Sequence, residues 1–493
     1  MDVIVIGAGL GGIAVAGRLA KAGYKVTVLE KAQTPGGRAA VISKDGYHFD
    51  KGPTLFLMPQ VFAETYAALG EPMEKHLELI RLDPTYRVHF HDGTSLDLSY
   101  QLPKMREQLD AIEPGAFEQF LKFMAEGYKH YNISLEKFVG RNFTSLSQYF
   151  DLRNVPLLFQ MKALVKHSAN TSTYFKDDRL RAAFSFQNMY LGLSPYEAPA
   201  TFSLLQYTEL GDGVWFPKGG LFRPVETLEK IAAGLGVNFI YGQPVKRINV
   251  EGNRTNGVTL ESGATLPADL VVANADLPYV YSNLLPADGT AAKLSHKKYT
   301  SSALMFYWGV KGERSSVLLH HNVFLADDEY KASFDKIFHD FTLPTNPSFY
   351  VNAPARTDAS FAPANGDTLM VLVPVGRLNH ERPQDWEALR ERARSVVVDR
   401  LESLGVKNLR SRIVLEETMG PPDYLKQLNL ANGSAFGLSH NFMQVGYLRP
   451  HNRHPRYGNL YFVGASTHPG TGLPMVLLSA KLTTQRILKE HAA

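Results

Sequence analysis

The sequence predicts an α/β fold that opens on a βαβ unit, and three observations carry the prediction. First, Val3-Ile4-Val5-Ile6 is a short apolar run rich in β-branched residues, the pattern of a buried strand. Second, that run leads into Gly7-Ala8-Gly9-Leu10-Gly11-Gly12, which holds G-x-G-x-x-G at Gly7, Gly9 and Gly12, and a helical pattern follows through Leu19, Ala20 and Ala22 until Gly23 stops it. Third, Lys25-Val26-Thr27-Val28-Leu29 reads as a second strand and ends at Glu30. This spacing gives each part a task in holding a dinucleotide. Gly7 permits the tight turn, Gly9 lets a pyrophosphate approach the backbone, and Gly12 lets the helix pack close to the strand. The helix start offers free N–H groups and partial positive charge to phosphates. Glu30, ~20 residues on, accepts hydrogen bonds from a ribose. The unit is therefore expected to be Rossmann-like.

The whole chain has 493 residues, too many for one core and enough for two or three units. Its formal charge of +4 is small for this length and no block of like charge stands out, which argues against nucleic acid as a partner. The sequence holds no cysteine, so disulfides, thiolate metal sites and cysteine nucleophiles are excluded. No charged n-region with a cleavage site precedes the first strand, and no apolar run approaches the ~20 residues of a spanning helix. The expected location is cytoplasmic, free or on a membrane surface.

Pro35-Gly36-Gly37-Arg38 follows the acid closely, and two glycines with an arginine suit a second face of a phosphate-bearing cofactor. Gly46 to Thr54, including Phe49-Asp50-Lys51-Gly52-Pro53-Thr54, comes next. Residues 86 to 98 read as a hairpin turning at Asp92-Gly93, and 104 to 208 turn helical. The stripes Leu121, Phe123, Met124, Tyr128 and Leu180, Ala183, Phe184, Phe186 read as core. Val155 to Lys166 suggests one helix with Pro156 in its first turn and Lys162 and Lys166 on one face at i, i+4. Two readings stand for it: a helix in a membrane interface, or a buried helix with two snorkelling lysines.

Gly213-Val-Trp-Phe-Pro-Lys-Gly219-Gly220 is followed by a helix through Leu228, a strand with Gln243-Pro244-Val245, and Asp269-Leu-Val-Val-Ala273-Asn274-Ala275-Asp276. Ala303 to Gly309, Ser348 to Val351 and Thr368 to Val373 read as strands, and Trp386 to Leu404 as an amphipathic helix ended by Gly405. Aromatics and methionines on these strands read either as the lining of a long apolar tunnel or as ordinary core. Asn459-Leu-Tyr-Phe-Val463 is a strand. It leads into Gly464-Ala465-Ser466-Thr467-His468-Pro469-Gly470-Thr471-Gly472-Leu473-Pro474-Met475 and a helix from about Val476 to Lys489. The four histidines between 440 and 468 match no metal-ligand spacing, and no metal is expected.

These motifs resemble the carotenoid (phytoene) desaturases of bacterial and fungal type, FAD enzymes of the flavin amine oxidase superfamily. The resemblance rests on Glu30-x5-Gly36-Gly37-Arg38, Phe49-Asp-x-Gly-Pro-Thr54, Trp215-Phe-Pro-x-Gly-Gly220, Val271-Val-x-Asn-Ala-Asp276 and Asn459-Leu-Tyr-x-Val-Gly-Ala-x-Thr-His-Pro-Gly-x-Gly-x-Pro474, spread over nearly the full length. It implies FAD as cofactor, held by Gly7, Gly9, Gly12, Glu30, Gly36, Gly37, Arg38, Gly52, Pro53, Thr54, Val245, Ala273, Asn274, Gly464, Ala465, Gly472, Pro474 and Met475. Val245 would face the adenine, Gly464 and Ala465 the pyrophosphate, and Leu473 to Met475 the isoalloxazine edge. The family usually has Gly-Val after that last proline, where this chain has Met475-Val476.

The implied architecture is a discontinuous FAD-binding domain (1–75, 212–290 and 455–493), a mixed-sheet substrate domain (76–103 and 291–454) and a helical, membrane-associating subdomain (104–211). The implied reaction dehydrogenates a linear C40 carotene: a hydride leaves an allylic C–H for the flavin and a proton leaves the neighbouring carbon. Candidate groups for the proton are Asp50, His440, Arg449 and His468, of which Arg449 reads more readily as an electrostatic or structural group. Oxygen or a quinone would take the electrons. A C40 hydrocarbon stays out of water by about 30 kcal/mol at ~0.8 kcal/mol per carbon, so the substrate is expected to be drawn from a bilayer by a peripherally bound enzyme. The rival readings are a desaturase or isomerase for C30 or hydroxylated carotenes, a flavin amine oxidase, and a non-enzymatic lipid-binding escort like the GDP-dissociation inhibitors.

Overall fold

A computed structural model describes residues 1–143, 145–326 and 330–491. The predicted segments 104–211, 291–454 and 455–493 thus each include positions outside the described residues. Five short strands form one parallel sheet in the order Leu460–Phe462, Leu270–Ala273, Asp2–Ile6, Lys25–Leu29, Asn238–Ile240. The middle three read Val/Ile/Leu-rich because a parallel sheet is covered on both faces, and Val5, Val28 and Val272 are fully buried. The helix Leu10–Lys21 packs between the helices Arg223–Gly234 and Leu473–Glu490 on one side of it. Asp2–Ile6 lies at the centre, pairing with Lys25–Leu29 on one side and Leu270–Ala273 on the other. Its carboxyl end is the switch point of the strand order, where open α/β sheets bind ligands.

A second, seven-stranded sheet runs in the order Ile413–Met419, Ser302–Lys311, Gly366–Val375, Phe349–Asn352, His321–Phe324, Tyr86–His89, Ser95–Leu98. It is mixed, because His321–Phe324 pairs parallel with Tyr86–His89 while its other pairs are antiparallel. The predicted hairpin and the three predicted strands lie in this sheet. The predicted amphipathic helix covers one face as Trp386–Ser403, burying Ala393, Val397, Val398 and Leu401.

Two expectations in the helical segment are corrected. Leu121 and Tyr128 are exposed on the helix Ala116–Ile133; its core face is carried by Phe117, Phe120, Phe123 and Tyr131. Val155 to Lys166 is not one helix. The helix Val155–Gln160 ends in a Schellman turn: Lys162 has φ of 50°, Lys162 N–H donates to Phe159 C=O and Ala163 N–H to Leu158 C=O. A lysine replaces the usual glycine at that left-handed position, held by Nζ contacts to Glu126 (2.5 Å) and Asn170 (2.7 Å). Lys166 then begins the next helix, His167–Thr171, so the two lysines share no helical face.

Candidate active site

Chain segments from both ends and the middle converge on the carboxyl end of the parallel sheet and enclose one cavity of about 940 Å³. At its sheet end the walls are Gly7, Gly9, Glu30, Gly36, Gly37, Arg38, Gly52, Pro53, Thr54, Val245, Asn274, Gly464, Ala465, Gly472, Pro474 and Met475, all predicted as cofactor contacts. Gly12 and Ala273 do not line it. Gly12 instead lies against the turn, where a Cβ would stand 2.0 Å from the Gly7 carbonyl oxygen. Ala273 is packed inside the sheet at 1% exposure. Gly52 is similarly constrained, since a Cβ would stand 2.1 Å from the Arg38 carbonyl oxygen.

This end suits a large anionic dinucleotide. The helix Leu10–Lys21 begins at Gly9, which has no side chain to occupy the first-turn N–H groups, and the helix Leu473–Glu490 begins the same way at Gly472. Arg38 lines the cavity; burial lowers its guanidinium, and the buried Asp276 acts on it through its charge. Burial raises the Asp276 carboxyl, although it accepts from Ser466 Oγ and from Ala431 N–H (3.1 Å). Each Glu30 oxygen accepts one backbone N–H, from Ala8 and from Ala32 at 2.8 Å, which ties the glycine turn to the second strand. Each of these oxygens keeps a second lone pair for a ribose hydroxyl. Asn274 stands at the centre: its side chain closes on Gly7, Gly9, Gly11 and Gly464, and its Nδ2 donates to Gly7 C=O (3.3 Å).

Away from the sheet the cavity becomes an apolar arm between the seven-stranded sheet and the helical segment. Tyr190, Phe202, Met305, Phe334, Tyr350 and Met370 are among its walls. Among the described residues, every charged residue of the lining, namely Glu30, Lys31, Arg38, Lys51 and Asp276, belongs to the segments at the cofactor end. The tunnel reading therefore applies to Met305 and Met370, and the core reading to their strand neighbours Leu304 and Val371.

The four candidate proton groups separate. Asp50 is absent from the lining; its oxygens accept Leu221 N–H (2.9 Å) and Phe222 N–H (3.0 Å) at the start of the helix Arg223–Gly234. Burial pushes its carboxyl up to about 7 against the pull of those two donors. Arg449 is also absent from the lining, at 1% exposure. It donates to the carbonyls of Thr467, Ser439, Gln444, Leu438 and Ala465, and burial lowers it to about 9. His440 and His468 do line the cavity. His440 Nε2 accepts Thr471 N–H (3.1 Å), and His468 Nε2–H donates to Arg141 C=O (3.0 Å). Burial holds His468 at about 4 and His440 well below 6.5, so both rings are neutral. Among the described residues no cluster of histidine and acid suits a metal ion.

Two contributors were not read from the sequence. Asp276 was noted only as part of a strand end. Glu209 gave no signal at all: it is buried at 1% exposure behind Tyr190 and Tyr350, accepts from Tyr86 Oη (3.2 Å) and Gln187 Nε2 (3.3 Å), and is pushed up to about 8.

A sequence profile of the flavin containing amine oxidoreductases matches residues 10–488. The chain belongs to that family. Within it the chain is 49% identical to a zeta-carotene-forming phytoene desaturase of Myxococcus xanthus, across 99% of this chain and 93% of that one. It is 44% identical to the phytoene desaturase of Phycomyces blakesleeanus (98% and 85% covered). A 4,4'-diapophytoene desaturase of Staphylococcus aureus is 32% identical, with 99% of each chain covered. An oxidoreductase from Methanosarcina mazei shares the fold, with a TM-score of 0.67, 19% identity and 98% and 100% of the two chains covered. The flavin of this family is FAD, and the sheet end of the cavity fits it in charge and in backbone approach.

Proposed function

We infer that this flavoprotein is an FAD-dependent carotene desaturase acting on phytoene, a linear C40 polyene precursor. One observation carries the reading: the cofactor end of the cavity opens directly into an arm that is apolar and, among the described residues, free of charged side chains. When bound, FAD supplies the hydride acceptor of the dehydrogenation. The protein's own part is to align an allylic C–H beside Gly472 to Met475, to exclude water, and to let the proton leave. An allylic cation is acidic enough that a weak neutral base suffices, and His468 is the lining residue best suited to take that proton. The relatives favour a C40 over a C30 substrate, since identity is 49% and 44% to the phytoene enzymes against 32% to the diapophytoene enzyme. An amine substrate would bring a cation, and the described residues of the arm offer no carboxylate to meet it. The electrons leave to oxygen or a quinone.

No helix among the described residues is long and apolar enough to cross a membrane. The substrate's ~30 kcal/mol preference for an apolar phase supports an enzyme that works bound to a membrane surface. The deciding experiment expresses the chain in phytoene-accumulating bacteria and resolves the pigments by chromatography. New visible bands are expected, their positions counting the double bonds added. Unchanged phytoene beside folded, flavin-loaded protein would overturn the reading.

A further inference from the structure

Each dehydrogenation frees one proton inside an enclosed cavity, and that proton has to reach water. Of the two histidines in the cavity wall, His468 also forms part of a second, much smaller pocket, and His440 does not. Asn142, Tyr447, His451, Asn452 and Arg486 supply the polar wall of that pocket. Its volume of about 10 Å³ is room for one water. His468 therefore stands between the two spaces. Its Nε2–H is committed to Arg141 C=O (3.0 Å), while Nδ1 is buried and has no hydrogen-bond partner among the described residues. Nδ1 thus carries the free lone pair of the neutral ring. His440 is the opposite tautomer: Nε2 accepts Thr471 N–H, so its proton sits on Nδ1 and no lone pair is left to offer. At the outer side of the small pocket His451 is exposed to solvent, with the Tyr447 ring edge-on at 4.6 Å. Burial and then the charge of Arg486 lower His451, and the pairing of Arg486 with Glu490 (2.9 Å) tempers that field. Burial most of all, with the charges of Arg449 and His451, lowers His468, so a proton that arrives there is readily passed on.

We propose that His451 is the outlet of a proton relay that runs from His468 through one water in the small pocket to solvent. The proposal rests on the carotene reading, with His468 as the first acceptor, and adds the way out. Once the hydride has left, the neighbouring C–H bond breaks. Its electron pair closes the new double bond and its proton goes to His468 Nδ1. The imidazolium passes one proton to the pocket water, the water passes one to His451, and His451 gives one to solvent. One proton enters and one leaves, so both rings and the water are restored before the next double bond. His451 does not line the main cavity, so it acts through His468 and not on the substrate.

The test uses the full-length, FAD-loaded protein with detergent-dispersed phytoene and a soluble quinone, in dilute buffer at fixed pH. His451→Phe is expected to keep the flavin band and melting temperature of wild type and to reduce its flavin at the wild-type rate in the first turnover. Its steady-state turnover is expected to fall about tenfold and to recover most of that loss when imidazole is added, while wild type responds little. A merely structural role would slow the first flavin reduction as well, and imidazole would not mend it. Wild-type steady-state turnover in His451→Phe, or a loss that imidazole leaves unchanged, would overturn the proposal. A second measurement needs no substrate. In flavin-loaded protein labelled at the histidine ring Cε1, the His468 resonance is assigned through His468→Gln and followed against pH. It is expected to titrate at higher pH in His451→Phe than in wild type, because a neighbouring charge is gone. An unchanged midpoint would also overturn the proposal, since the two rings would then be out of contact. The two readings fail separately. Wild type that makes no pigment yet shows the coupled titration defeats only the carotene reading. Pigment from wild type, with His451→Phe equally fast, defeats only the relay.

Discussion

Single side chains in this protein divide into those that face the cavity and those that hold its frame, and substitution separates them. Arg38 supplies a cation to the cofactor end, and no carboxylate among the described residues is hydrogen-bonded to it. Arg38→Met is expected to weaken FAD binding at least tenfold, in line with about 1.5–3 kcal/mol for a charged hydrogen bond, with Arg38→Lys restoring part of it. Flavin titration of the apoprotein reads the result, and unchanged affinity would remove Arg38 from the cofactor site. Asp50 and His468 make a contrasting pair. Asp50→Ala takes the acceptor from two buried N–H groups and should cost about 1–3 kcal/mol of stability while turnover per bound flavin stays near wild type. His468→Gln should lower turnover by about 10²-fold with the flavin retained. A turnover collapse in Asp50→Ala with normal stability would reverse the two roles.

Among elements, the loop from Leu438 to Arg449 and the turn from Gly464 to His468 are held together by one guanidinium. Arg449 donates to five backbone carbonyls of the two segments, in a place too buried for water. Arg449→Met is therefore expected to destabilise by more than about 3 kcal/mol and to release FAD before the parallel sheet melts. Loss of the flavin band at temperatures where the far-ultraviolet signal is intact is the measurement. Simultaneous loss of both signals would mean that Arg449 supports the whole domain rather than the turn. The sequence placed Arg449 near the flavin motifs and read it more readily as an electrostatic or structural group than as a base. What it could not display was the convergence of five carbonyls, 5 to 18 residues away along the chain, on that one guanidinium.

For the whole molecule, the buried ionisable groups set the dependence of stability on pH. Burial holds His89, His167, His454 and His468 at about 4, His320 at about 3, and His321 and His440 well below 6.5. Each binds fewer protons folded than unfolded between those values, so stability is lost as pH falls below about 6.5. Asp50, raised to about 7, and Glu209, raised to about 8, act the other way, losing stability as pH rises toward those values. Between pH 5 and 6.5 the histidines outnumber the raised acids Asp50, Glu209 and Asp276; toward pH 8 the acids increasingly set the slope. The melting temperature should peak near pH 6.5, fall clearly by pH 5 and decline slightly by pH 8. A melting temperature that is flat or rising from pH 6.5 down to 5 would contradict the neutral, buried state of these rings.

The sequence by itself determined the parts whose physics is local. A strand, a glycine turn, a helix and an acid at fixed spacing can close on a dinucleotide in only one way, and the close approaches of Gly12 and Gly52 forbid any larger residue. Those constraints are written in adjacent residues, so the cofactor end of the cavity was legible from motifs at Gly7, Gly36, Gly52 and Gly464. Alternation and helical period likewise announced the hairpin at Asp92-Gly93 and the helix Trp386–Ser403. Tertiary structure alone decided which of several chemically similar residues face the cavity. Met305 lines it while Leu304 does not, and His440 and His468 reach it while Asp50 and Arg449 are spent on backbone partners. It also broke the predicted helix at Lys162, where an ion pair with distant Glu126 holds a left-handed lysine that local propensity disfavours. In each case the deciding energy comes from groups far apart in the chain, and no local window contains it.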